Sequence, residues 1–245
     1  MHARRSLTFG FFFCLCLALF GNGLGAKTKT ETVDILVRFF DTVVFGAEID
    51  QSMASKVVAK WQEPLKIFIH VGDAKQKHAN VAAEKFKLLS KLTGLKAVQT
   101  RTAKRANFHL IFVRRSEMAY VKIGGVSASL IRKLATNAMC YFITAKKPPS
   151  KIVKAFVVAD VDLPDDKLHH CLLEEITQTL GLPNDTTIAS PSLFDEQTMT
   201  PTPTTTDQVV IRTLYDKRMK PGLKRAEALE VAREIITEMV VAPAR

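Results

Sequence analysis

Apolar side chains recur at helical spacing over residues 32–45, where Ile35, Leu36, Phe39, Phe40, Val43 and Val44 share a face and predict an amphipathic helix. A second helical stretch is expected over 51–61. After Pro64 the period drops to two: Leu65, Ile67, Ile69 and Val71 alternate with Lys66, Phe68 and His70, which predicts a strand. A helix over 74–93 follows, with Gly94 positioned to stop it. The stretches "LKAVQTR" and "NFHLIFVRR" read as strands, and "GGVSASLIRKLA" as a turn and a short helix. "CYFITAKK" is a strand that ends at Pro148-Pro149, and residues 151–163 are the most β-rich part of the chain. Asp165 and Asp166 then suit the cap and first turn of a helix over 167–180, which Gly181 terminates. A loop rich in Thr, Ser and Pro over 183–206 leads to a helix through Leu214 and to a last amphipathic helix over 223–240. Strands and helices in this order imply an α+β domain with one mixed sheet.

The first 26 residues alter the picture of where this domain works. Arg4 and Arg5 precede an apolar run over 7–20 and a small-residue exit, "GNGLGA", the form of a Sec signal peptide cut after Gly25 or Ala26. The apolar run is shorter than the roughly 20 residues of a spanning helix, so a membrane anchor is the weaker reading. Cys14 and Cys16 lack the small residues that precede a lipidated cysteine. Cleavage after Ala26 shortens the 245-residue chain to 219 and lowers its net charge from +11 to +9 by removing Arg4 and Arg5. In an exported protein that charge suits anionic envelope polymers or lipid headgroups, with peripheral membrane contact, and nucleic acid is not an expected partner. Solubility alone is an equally good account of it. Cys140 and Cys171 remain, and an even pair in an oxidising compartment predicts a disulfide. A metal site at Cys171 and His170 is the competing reading, and it leaves Cys140 without a role.

The candidate chemistry lies in "HHCLLEEITQTLGLPND", residues 169–185. Zinc peptidases carry H-E-x-x-H on a helix, because the i, i+4 spacing sets two imidazoles on one face and the adjacent Glu activates a metal-bound water. Metzincins extend the pattern through a Gly turn to a third His. Laid on that frame, Glu174, Gln178 and Asn184 occupy the ligand positions, Glu175 the general-base position and Gly181 the turn. Two amides and one carboxylate are a poor set for zinc. His170, Glu174 and Gln178 form an i, i+4, i+8 stripe, so His169 or His170 is the nearest rescue for a metal site. The chain has no Gly-rich phosphate loop and no G-x-S-x-G nucleophile elbow.

The flanks resemble the metzincin class as well. "NFHLIFV" is similar to the strand before the active helix, "SLF" stands where a Met-turn is expected with Phe194 for the methionine, and "TDQVVIRTLYD" resembles the closing segment of matrix metalloproteases. More specifically, "CLLEEITQTLGLPND…LFDE…TDQVVIRTLYDKRMKPG" resembles a proteobacterial family of exported proteins, domain of unknown function 2927. The metzincin resemblance implies a zincin-like mixed sheet with a degenerate active-site helix, and the resemblance to domain of unknown function 2927 supplies no activity. The expected organisation is a signal peptide (1–26), an N-terminal helical extension (27–62), a metzincin-like domain (63–222) and a C-terminal helix (223–245). The expected role is binding of a peptide or envelope component, in a groove between the edge strand and the helix over 167–180, with no cofactor. The alternative is a zinc-dependent hydrolase with Glu175 as base. A third reading is a purely structural protein whose cleft is filled by its own side chains. Oligomeric state is open.

Overall fold

The computed structural model describes residues 28–47, 54–70, 75–148 and 150–241, so the signal segment expected over 1–26 lies outside the described residues. Helix α1 (Lys29–Phe45) opens with a capping box: Thr28 Oγ1 accepts from the Glu31 N–H and Glu31 accepts from the Thr28 N–H. Strands β1 (Lys60–Trp61) and β2 (Leu65–His70) follow, then α2 (Gln76–Thr93), β3 (Ala97–Gln99) and β4 (Phe108–Val113). The chain continues through α3 (Ala128–Ala135), β5 (Cys140–Lys147), β6 (Lys151–Asp160), α4 (Asp165–Gln178), α5 (Thr205–Tyr215) and α6 (Arg225–Val241). Gly94 ends α2 at φ 74°, a left-handed conformation that glycine adopts without a Cβ penalty.

The sheet runs β3-β2-β4-β6-β5, with β1 set against Lys151 and Ile152 at the start of β6. All pairs are parallel except β5–β6, so the sheet is mixed and the fold is α+β. Alternation along β4 sends Phe108, Leu110 and Phe112 to the larger core, while Ile111 and Val113 face a smaller cluster around Met118, Ile131, Tyr141 and Val158. That second face is covered by α3 and a six-residue 3-10 segment, Arg115–Tyr120, which the sequence pattern does not announce. The larger core is continuous from Val33 and Phe40 of α1, through the sheet, to Ile235 and Ile236 of α6. Arg225 and Arg233 of α6 also reach Asp41 and Asp34 of α1, each at 2.6 Å.

The helix expected over 51–61 is corrected for its described part. Residues 54–61 are extended: Val57 bridges to Lys224, the Val58 N–H donates to the Leu223 carbonyl at 2.8 Å, and the Lys60 N–H donates to the Ser150 carbonyl at 3.1 Å. Val58, Ala59, Lys60 and Trp61 are all buried, a run that a one-sided helix cannot give. The backbone there is satisfied by partners distant in the chain, so the local apolar spacing misleads.

Candidate functional site: helix α4 and its loops

Helix α4 begins two residues earlier than the sequence suggests. Pro164 is the N-cap and offers no side-chain cap, while Asp165 and Asp166 lie inside the first turn, where carboxylates favour the helix dipole. Asp165 also accepts from Lys77 Nζ at 2.9 Å, which ties α4 to α2. The far end is held by two side chains, and a third ties in α5. Trp61 Nε1 donates to the Thr179 carbonyl at 2.9 Å, the Tyr215 hydroxyl to the Leu180 carbonyl at 2.7 Å, and Lys60 Nζ to the Leu214 carbonyl at 2.8 Å. Burial lowers the Lys60 pKa to about 8 against the opposing pull of Asp216. Gly181 turns the chain at φ 113°, and a Cβ there would lie 2.2 Å from the Ala59 carbonyl oxygen. Only glycine fits both the dihedral and the space.

The side chains at the ligand positions are engaged with one another and with the loops. His170 is buried, its Nε2 3.4 Å from Glu174 Oε2 and its Nδ1 3.4 Å from the Thr200 carbonyl. Burial lowers the His170 pKa, and the Thr200 carbonyl acts in the opposite direction. Gln178 Nε2 donates to Asp185 Oδ1 at 2.7 Å. Asn184 instead donates from Nδ2 to the Asp185 carbonyl at 2.8 Å, and its side chain lies on the backbone of Gly46 at the end of α1, where a Cβ would meet Asn184 Cγ at 2.5 Å. The residue facing Gln178 across the turn is therefore Asp185, one position beyond the motif's third ligand. Glu175 is also buried, about 100° further round the helix from Glu174.

His169 points away from His170. Its Nδ1 is 3.1 Å from Lys85 Nζ, and that buried ammonium also donates to Glu84 Oε1 at 3.1 Å and to the Pro201 carbonyl at 3.0 Å. Lys85 was not among the residues that the motif points to. Its place on α2, between Val81 and Leu89 on the i, i+4, i+8 stripe, is the sequence signal that it is buried. Cys171 is joined to Cys140 at the start of β5 with Cα atoms 6.1 Å apart, as the even pair predicts, and is thus unavailable to a metal site with His170.

Residues 192–194 form the turn beneath the loop. Phe194 is fully buried and meets Phe39 of α1 edge to face at 5.7 Å. The turn is fixed by a second residue that the motif does not include, the buried Asp207 of α5. Its carboxylate accepts from Ser192 Oγ at 2.6 Å, from the Leu193 N–H at 3.1 Å and from the Thr204 N–H at 2.8 Å.

The donor set does not fit zinc. Among the described residues no three His, Cys, Asp or Glu side chains are grouped to hold a metal ion. At two of the motif's ligand positions the amides use their N–H groups on Asp185. The space beside them is small: a cavity of about 10 Å³ lined by residues that include Val44, Ala59, Thr144, Gln178, Gly181 and Pro183.

Comparison with protein families finds a match over residues 34–234 to the family described as "Protein of unknown function (DUF2927)". No curated protein matches the chain.

Proposed function

The chain belongs to the DUF2927 family of proteins of unknown function, and from that premise we propose that it is an exported, non-catalytic protein on a metallopeptidase-like frame that binds a peptide or cell-envelope component. The observation that carries the non-catalytic reading is the Gln178–Asp185 hydrogen bond at 2.7 Å. With the His170–Glu174 contact and the Asn184 bond, it gives the polar groups of the former ligand positions partners within the chain, as buried polar groups require. The frame itself is supported by a helix that follows the last sheet strand, runs into a turn at the positive-φ Gly181, and is succeeded by a buried 192–194 turn. Export is supported by the Cys140–Cys171 disulfide and by the basic and apolar opening of the sequence. No described helix is long and apolar enough to cross a membrane.

Elemental analysis of protein purified without chelators, paired with a peptide-hydrolysis screen, tests this reading. The expected result is no stoichiometric zinc and no hydrolysis. Chelator-sensitive cleavage would overturn it and favour the zinc-hydrolase alternative, for which the buried position of Glu175 is the supporting observation. In that case Glu175→Gln abolishes turnover.

A further inference from the structure

A groove opens at the end of the sheet remote from β5. It has a volume of about 670 Å³ and lies between α2 and the edge formed by β2 and β3. Its floor is apolar, made by Ile67, Ala82, Phe86 and Ala97, and the small alanines of α2 leave the space open. Lys87, Lys91 and Lys96 stand along it, and no carboxylate is among the described residues that line it.

Strand β3 pairs only with β2 among the described strands. The Leu65 N–H donates to the Lys96 carbonyl at 2.8 Å and the Thr100 N–H to the Ile67 carbonyl at 2.7 Å. With Ala97 opposite Leu65 and Gln99 opposite Ile67, this parallel register turns the peptide groups of Lys96, Val98 and Thr100 toward β2. The N–H and C=O groups of Ala97 and Gln99 therefore point outward. Val98, 52% exposed, is also among the residues that line the groove. The edge thus offers main-chain partners beside an apolar groove.

We propose that this edge is a docking site for an extended acidic peptide, which adds to β3 as a further strand. Main-chain bonds to Ala97 and Gln99 would give affinity, alternate apolar side chains would enter the groove under α2, and carboxylates would meet the three lysines. A second copy of this chain is a poor occupant, because edge-to-edge pairing would bring Lys96 and Arg101 against their own kind in a protein of net charge +11. An acyl chain would fill the groove but leave the outward peptide groups to water. The site lies apart from α4 and does not depend on whether α4 binds a metal.

The test uses the full disulfide-bonded chain and a fluorescein-labelled octapeptide that alternates valine and glutamate, with its lysine counterpart as control. Anisotropy should show binding of the glutamate peptide only, weakened by salt. Ala97→Pro removes an outward N–H and leaves the ladder to β2 intact, and should weaken binding about tenfold. The double variant Lys87→Glu, Lys91→Glu should abolish binding of the glutamate peptide. Should Ala97→Pro fail to fold, slowed hydrogen exchange at the Ala97 and Gln99 amides of the unaltered protein on peptide addition carries the same information. Absence of binding, or binding indifferent to these changes, overturns the proposal. So does binding of phosphatidylglycerol vesicles that needs Lys87 and Lys91 while the peptide does not bind, which would assign the groove to an anionic lipid.

Discussion

Asp207→Ala removes a buried carboxylate that accepts three hydrogen bonds, from Ser192 Oγ at 2.6 Å, the Leu193 N–H at 3.1 Å and the Thr204 N–H at 2.8 Å. Bonds to a charged group contribute about 1.5–3 kcal/mol each, and buried donors that lose their acceptor cost nearly that much. Water can reach the half-buried Thr204 more readily than the buried Ser192 and Leu193, so the three do not add in full. The expected loss is about 4 kcal/mol, which in a domain of this size lowers Tm by about 8–16 °C. Thr204→Ala isolates the helix cap, because Thr204 Oγ1 accepts from the Asp207 N–H at 3.2 Å, and should cost about 1 kcal/mol. The difference between the two variants is the share that belongs to the 192–194 turn. Urea titrations followed by circular dichroism, with an unchanged m-value, measure both. If Thr204→Ala destabilises as much as Asp207→Ala, the carboxylate acts only as a cap and the turn is held by packing alone.

Three further outcomes follow from geometry on other elements. Removing the disulfide with Cys140→Ala and Cys171→Ala frees a loop with a sequence separation of 31, and chain entropy puts the loss at about 3.5 kcal/mol, read as the shift in urea midpoint between the variant and the oxidised protein. Gly181→Ala forces a Cβ to 2.2 Å from the Ala59 carbonyl at φ 113° and should cost more than about 3 kcal/mol, whereas Gly94→Ala, at φ 74° with nothing within 4 Å, should cost about 1 kcal/mol; equal melting temperatures would refute the steric account. His109 is buried against Phe156, with its Nε2 unpartnered among the described residues, and burial, then Lys154 and His70, lower its pKa from 6.5 to about 4. The unfolded chain therefore binds the extra proton first, so stability is full above about pH 6.5 and falls by about 3 kcal/mol as pH drops toward 4. His109→Phe should flatten that slope, and an unaltered pH profile in the variant would show that other groups set it.

Period-two alternation made β2 readable in the sequence, and the helical spacing of apolar residues did the same for α1. Gly94 marked the end of α2 because left-handed backbone has few other tenants, whereas α4 ends at Gln178 with Thr179 as its cap and Gly181 turns the chain just beyond. Ser55 to Trp61 was unreadable for the opposite reason. Its hydrogen bonds go to Ser150, Gly222 and Leu223, so nothing local encodes the extended form. The motif falls on α4, and yet spacing alone could not say that Asp185 rather than Asn184 faces Gln178. That choice depends on α1, whose Gly46 receives the Asn184 side chain. The groove beside β3 had no sequence signature, since its alanines and lysines belong to an ordinary helix pattern and acquire meaning only beside an unpaired edge.

The contact between α1 and α6 has a consequence for the order in which the chain can mature. The apolar face of α1, including Phe39, Phe40 and Val43, is covered by elements that include α6, whose first residue is Arg225. A chain emerging from a ribosome N-terminus first thus carries part of that face uncovered until α6 has been made. Native packing must wait for the last helix, and a holding chaperone has an aromatic handle to grip in the meantime.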